Sequence, residues 1–215
     1  MAPVRKLNFR RRAHLRTYSR GAALTAAGLA LALTAFPAQA HEGTGLAGGF
    51  ASGFVHPLKG LDHMLAMVSV GIWGAFLGRP LIYLLPMVFP GAMAFGAGVA
   101  MAGVQLPPVE LGIALSVVLL GAAILLAARL PVAVACAIVG LFALFHGYSH
   151  GAELPSAADP VGYSAGFVLS TGLLHVAGIG LGVFKAWPAG VTALRAAGGV
   201  IAAFGIWFLY GAMVA

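Results

Sequence analysis

The stretch from Pro131 to Pro155 reads PVAVACAIVGLFALFHGYSHGAELP. It starts as an apolar run close to the roughly 20 residues that a membrane-crossing helix needs. It ends with His146, His150 and Glu153 inside eight positions. The rest of the chain shares the apolar character: of 215 residues, 61% are hydrophobic and 8% charged, against roughly 25% charged in soluble domains. The sequence is that of an integral membrane protein, and the quoted run is one of its spans.

The formal charge of +7 invites a reading as a basic, nucleic-acid-binding protein, but the location of the charges excludes it. Arg5, Lys6, Arg10, Arg11, Arg12, Arg16 and Arg20 all precede the apolar stretch Ala22 to Phe36, which is followed by Pro37 and the small-x-small tripeptide Ala38-Gln39-Ala40. That is the layout of a cleaved signal peptide over residues 1–40. The alternative, an uncleaved anchor, needs a longer apolar run than this one. The mature chain, starting at His41, balances Lys59, Arg79, Arg129, Lys185 and Arg195 against Glu42, Asp62, Glu110, Glu153 and Asp159. Cys136 is the single cysteine, which rules out an intramolecular disulfide and a thiolate-rich metal site.

Apolar segments separated by short polar joints predict an all-α integral membrane fold of six transmembrane helices, about 61–78, 81–103, 109–128, 131–149, 161–184 and 197–214, in one domain over residues 41–215. A cleaved leader places the mature N-terminus in the periplasm. The cytoplasmic joints then hold Arg79, Arg129, Lys185 and Arg195, as the excess of basic residues on that side requires. Leu46 to Leu58 is apolar, glycine-rich and too short to cross, and it predicts a re-entrant or interfacial segment before the first helix. Pro57 and Gly60 break helical continuity there, with Asp62 expected as the N-cap of the next helix. Pro86 and Pro90 predict a kink in the second helix. Small residues at four-residue spacing, Gly162, Gly166 and Ser170 on the fifth helix and Ala94, Gly98 and Ala102 on the second, predict close packing faces and leave room for a homo-oligomer.

The ionisable residues are the functional signal, because each costs on the order of 2.5 to 3.5 kcal/mol within a membrane segment. Five histidines, His41, His56, His63, His146 and His150, map to the outer ends of segments. His175, also a candidate metal residue, falls near the middle of the fifth helix, about 21 Å of helix rise below its outer end, where it would mark the depth of an ion path. In HPLKGLDH the turn made by Pro57 and Gly60 can bring His56 back over Asp62 and His63. In HGYSHGAE, His146 and His150 share a helix face, as two imidazoles on one ion must, and Glu153 continues it. Imidazole and carboxylate without thiolate suit nickel, cobalt, zinc or copper(II). At a cleaved terminus, His41 offers an α-amine and an imidazole to the same ion.

The motifs His56-Pro57, Gly60, Asp62-His63, VGIWGA with Gly71 and Trp73, and FHGYSHGAELP resemble the HupE/UreJ proteins, hydrogenase- and urease-associated nickel or cobalt permeases. The resemblance spans the mature chain. It implies a principal metal motif of His56, Asp62 and His63 and a second of His146, His150 and Glu153. It further implies import of Ni2+ or Co2+ across the bacterial inner membrane, with no prosthetic group and no catalytic residue. The larger nickel/cobalt transporters carry a His-x4-Asp-His signature, but here five residues separate His56 from Asp62, so their fold is not transferred. The competing class is a membrane metalloenzyme with a His-rich centre, disfavoured by the presence of a single His-x3-His pair. A haem-binding or purely structural subunit would need neither Asp62 nor Glu153. Because only neutral imidazole binds metal, uptake is expected to fall as the external pH drops through about 6.5.

Overall fold

The computed structural model describes residues 49–106, 108–154 and 159–214; the leader, its cleavage tripeptide and His41 lie outside the described residues. The regular structure within those residues is helical: α1 (Phe50–Lys59), α2 (Leu61–Leu77), α3 (Leu81–Met101), α4 (Val109–Leu125), α5 (Val132–Glu153), α6 (Pro160–Gly182) and α7 (Pro188–Val214). A 3₁₀ turn, Val183–Ala186, joins the last two. Each of the six segments expected as spans is a helix. Four of them, α3, α5, α6 and α7, are long and apolar enough to cross a bilayer. A fifth span results if α1 and α2, which meet at 84°, are taken as one broken span. α4 is a shorter apolar helix of 17 residues, about 26 Å at the usual rise. The chain is a multi-pass membrane protein.

The bend between α1 and α2 differs in detail from the sequence expectation. Pro57 lies inside α1, and the break falls at Gly60 alone, whose φ of −80° and ψ of 106° leave the helical region. Asp62 is not the N-cap: Gly60 occupies that position and Asp62 sits in the first turn. There its Oδ1 accepts the backbone N–H of His63 at 2.8 Å, and its charge favours the positive end of the helix dipole. Pro86 and Pro90 likewise both lie inside the continuous helix α3.

Glycines set the helix pairs by letting backbones touch. A Cβ on Gly71 would strike the carbonyl of His175, and one on Gly178 the carbonyl of Val68, which packs α2 alongside α6 in parallel. Gly147 meets the carbonyl of Met93 and Gly151 that of Ala97, so α3 and α5 are also parallel. Gly166 of α6 meets the Phe50 carbonyl of α1, in line with the expected close face on that helix. The small-residue face expected on α3 is a correction. Ala94 and Gly98 are exposed, and a Cβ on Gly98 meets nothing within 4 Å; the packed face is Met93, Gly96 and Ala97, because spacing alone does not reveal which side of a helix meets protein. Trp73, Met67, Leu85, Phe89, Val117, Leu120 and Ile124 fill the core between the pairs.

At one end of the bundle, basic and aromatic donors close the helix termini. Lys185 Nζ donates to the Ala75 carbonyl near the end of α2. Arg195 Nε donates to the Leu125 carbonyl at the end of α4, at 2.7 Å, and Trp73 Nε1 donates to the Ala128 carbonyl at 3.0 Å. Terminal carbonyls that lack helical partners accept these bonds, and cations there complement the dipole. His56, His63, His146 and His150 lie at the opposite end of α2.

Candidate metal site at the helix bend

Gly60 sets the geometry of the site. By turning the chain through 84°, it folds His56, in the last turn of α1, back toward His63, in the first turn of α2; the ring centroids lie 6.3 Å apart. α5 carries His146 and His150 to the same place. The His150 ring is 4.8 Å from His56 and 4.7 Å from His63, and the His146 ring is 4.7 Å from His63. Four imidazoles from three helices thus form a chain of edge-to-face contacts in the order His56, His150, His63, His146. His63, His146 and His150 are buried, and His56 is half-buried. Phe167 of α6 packs on His150 at 4.3 Å, and Tyr163 of the same helix stands 5.9 Å from His56.

Hydrogen bonds fix which nitrogen each inner ring can offer. His63 Nδ1 is 2.8 Å from Asp62 Oδ1. An ionised carboxylate only accepts, so Nδ1 carries the proton and the lone pair is on Nε2. Carboxylate, imidazole and an outward-facing lone pair make up the arrangement that orients histidine ligands in metal proteins. Asp62, expected as a ligand, is in contact with His63 in this structure through Oδ1. At His146 the assignment reverses. Ser116 Oγ donates its single proton to the Ile113 carbonyl at 2.6 Å, so its contact with His146 Nε2 at 2.9 Å makes that nitrogen the donor. His146 therefore presents Nδ1.

The expected residues are not all brought together. His175, on α6, is buried and stands apart from the four rings, with the ring of Phe89 5.2 Å from it and 5.6 Å from His146. Glu153 is the last residue of α5, and its side chain, like His41, lies outside the described residues. Among the described residues, no three His, Cys, Asp or Glu side chains surround a common point as a preformed ion site. The contacts are pairwise, and an ion at the usual metal–nitrogen distance of about 2.0 to 2.1 Å would need the rings to rotate toward it.

Ser116, Phe89 and Phe167 belong to the site and escaped the sequence reading. Ser116 had a signal, a lone hydroxyl within the apolar run IALSVVLL. The two phenylalanines are indistinguishable from core residues until the fold places them against imidazoles.

These features define a helical, multi-pass membrane protein with a histidine cluster in its interior. The family model of the HupE / UreJ proteins matches residues 29–208. Protein HupE of Rhizobium leguminosarum bv. viciae is 44% identical over 182 residues, which is 84% of this chain and 95% of that protein. The chain belongs to the HupE/UreJ family. No solved structure matches it.

Proposed function

We propose that the protein is a permease that imports a divalent transition metal, nickel or cobalt, across the bacterial inner membrane. The observation that carries this reading is the chain of four imidazoles, from His56 to His146, assembled from α1, α2 and α5 inside an apolar bundle. Ionisable groups are too costly at such positions to persist without a task, and neutral imidazoles are good ligands for these ions but poor ones for calcium or magnesium. Neighbouring rings with differently placed lone pairs suit an ion that is handed from one to the next. A path must bind well enough to offset dehydration and loosely enough to release, and pairwise contacts fit that demand better than a closed tetrahedral cage.

In this reading the chain makes six crossings after a cleaved signal peptide, with α1 re-entrant and the histidine end facing the periplasm. Lys185 and Arg195 at the opposite end support that orientation. His56, His63, His146, His150 and Glu153 receive the ion, Asp62 orients His63, and His41 adds a terminal ligand at the entrance. The ion is cargo, so the reading assigns no chemistry to it and no catalytic residue.

The test is radioactive nickel and cobalt uptake into cells expressing the wild type, His63→Ala and Glu153→Ala at matched membrane levels. Uptake by the wild type that both variants lose is the expected result. Wild-type protein that carries neither metal overturns the proposal. A redox-active diiron centre in the purified protein would favour the metalloenzyme class instead.

A further inference from the structure

Phe89 stands where the outer histidines end and His175 begins. Its ring centroid is 5.6 Å from that of His146 and 5.2 Å from that of His175, and its side chain has no exposure. Because α3 and α5 are parallel, with Gly147 against Met93 and Gly140 beside Val88 and Ala92, Phe89 lies about one helical turn to the inner side of His146. An ion leaving the four-ring cluster toward the basic end meets this ring before it meets His175.

His175 is itself unusual. It is 1% exposed, and neither ring nitrogen has a hydrogen-bond partner among the described residues. A neutral imidazole has one donor and one acceptor to satisfy, and buried polar groups without protein partners are normally met by water or an ion. The hydroxyls of Ser69 on α2 and Thr171 on α6 are likewise buried without a partner among the described residues, and these two helices pack together beside His175. Polar capacity unmet among the described residues thus lies around His175, on the other side of the Phe89 ring from His146.

The backbone behind that ring is weakened. Pro86 and Pro90 bracket Phe89 within α3. Neither has an N–H, so the carbonyls of Ile82 and Pro86 lose their helical donors, and each proline ring crowds the carbonyl one turn before it. A turn supported by fewer bonds is where a helix flexes.

We infer that Phe89 is an aromatic gate, carried on a proline-bracketed hinge, which separates an outer histidine vestibule from an inner cation station at His175. This rests on the permeation reading given above. With the ring in place, the inner station is closed to the vestibule; when the turn flexes, the ring swings off the His146–His175 line and the divalent cation passes.

The gate is tested by accessibility, which needs no metal. In a Cys136→Ala background reconstituted in vesicles, His175→Cys is exposed to a charged, membrane-impermeant thiol reagent added on the histidine side. Labelling is expected to be slow with Phe89 present, at least tenfold faster with Phe89→Ala, and about threefold faster with Phe89→Leu, which keeps most of the volume should the alanine variant fold poorly. His150→Cys, outside the gate, should react at one rate whether residue 89 is phenylalanine or alanine. Leu85→Ala, one turn away and equally buried, should leave the rate at position 175 unchanged. Equal rates with and without Phe89, or an acceleration by Leu85→Ala matching that by Phe89→Ala, overturns the gate. Faster labelling in a protein that carries no nickel or cobalt keeps the gate and removes the permease reading; intact uptake with unaltered labelling does the reverse.

Discussion

The two ends of α2 handle polarity in opposite ways. Near Leu77, side-chain donors from elsewhere in the chain are used up on backbone carbonyls: Lys185 on Ala75, and close by Arg195 on Leu125 and Trp73 on Ala128. Near Leu61, Asp62 and Ser116 instead hold imidazoles, so that the polar atoms serve other side chains. Charge at the first end closes the fold, whereas the polar groups of the second orient imidazole rings against one another.

On the permease reading proposed above, mutations at the two ends should separate transport from stability. The largest expected effect is that of His146→Ala, which removes the innermost ring of the cluster and, like His63→Ala, should abolish nickel uptake at matched protein level. Asp62→Asn keeps the shape but weakens the orientation of His63. An outer-shell change of this kind costs roughly 10- to 100-fold in affinity or activity, and it should appear as a raised half-saturation concentration with the maximal rate largely kept. Ser116→Ala frees His146 to take either tautomer and should reduce uptake about threefold. The smallest effect belongs to the other end. Arg195→Ala should leave uptake per molecule unchanged and lower thermal stability in detergent by an amount in the range of about 0.3 to 1 kcal/mol, that of a cation at a helix C-terminus. Loss of transport with Arg195→Ala at unchanged stability would break the division between the ends.

How much of this could be read from the sequence depends on the range of the interactions. The helices were legible because apolar runs near the crossing length are punctuated by Arg79, Arg129 and Lys185, and the i, i+4 pairing of His146 with His150 is local. The folding back of His56 on His63 was legible too, since only six residues, Gly60 among them, separate the two. Asp62 was misread as a cap because its preference for that position competes with a contact to the adjacent His63, and propensity alone cannot rank the two. Ser116 and His146 are 30 residues apart, and Phe89 meets His175 although α4 and α5 lie between them in the sequence. No local pattern encodes such meetings. The open face at Gly98 failed for a related reason: in a membrane, lipid and protein are both apolar neighbours, so a stripe of small residues does not say which one it meets.

Gly147 and Gly151 each follow a histidine directly, and each rests on a carbonyl of α3. The positions of His146 and His150 are therefore fixed by main chain against main chain, with no side chain as intermediary. Evolution is free to rewrite the lipid-facing surface of both helices as membranes change in thickness and composition, and the imidazoles stay where they are; the same independence would let a designer alter the residues around the rings to retune ion preference while leaving the scaffold untouched.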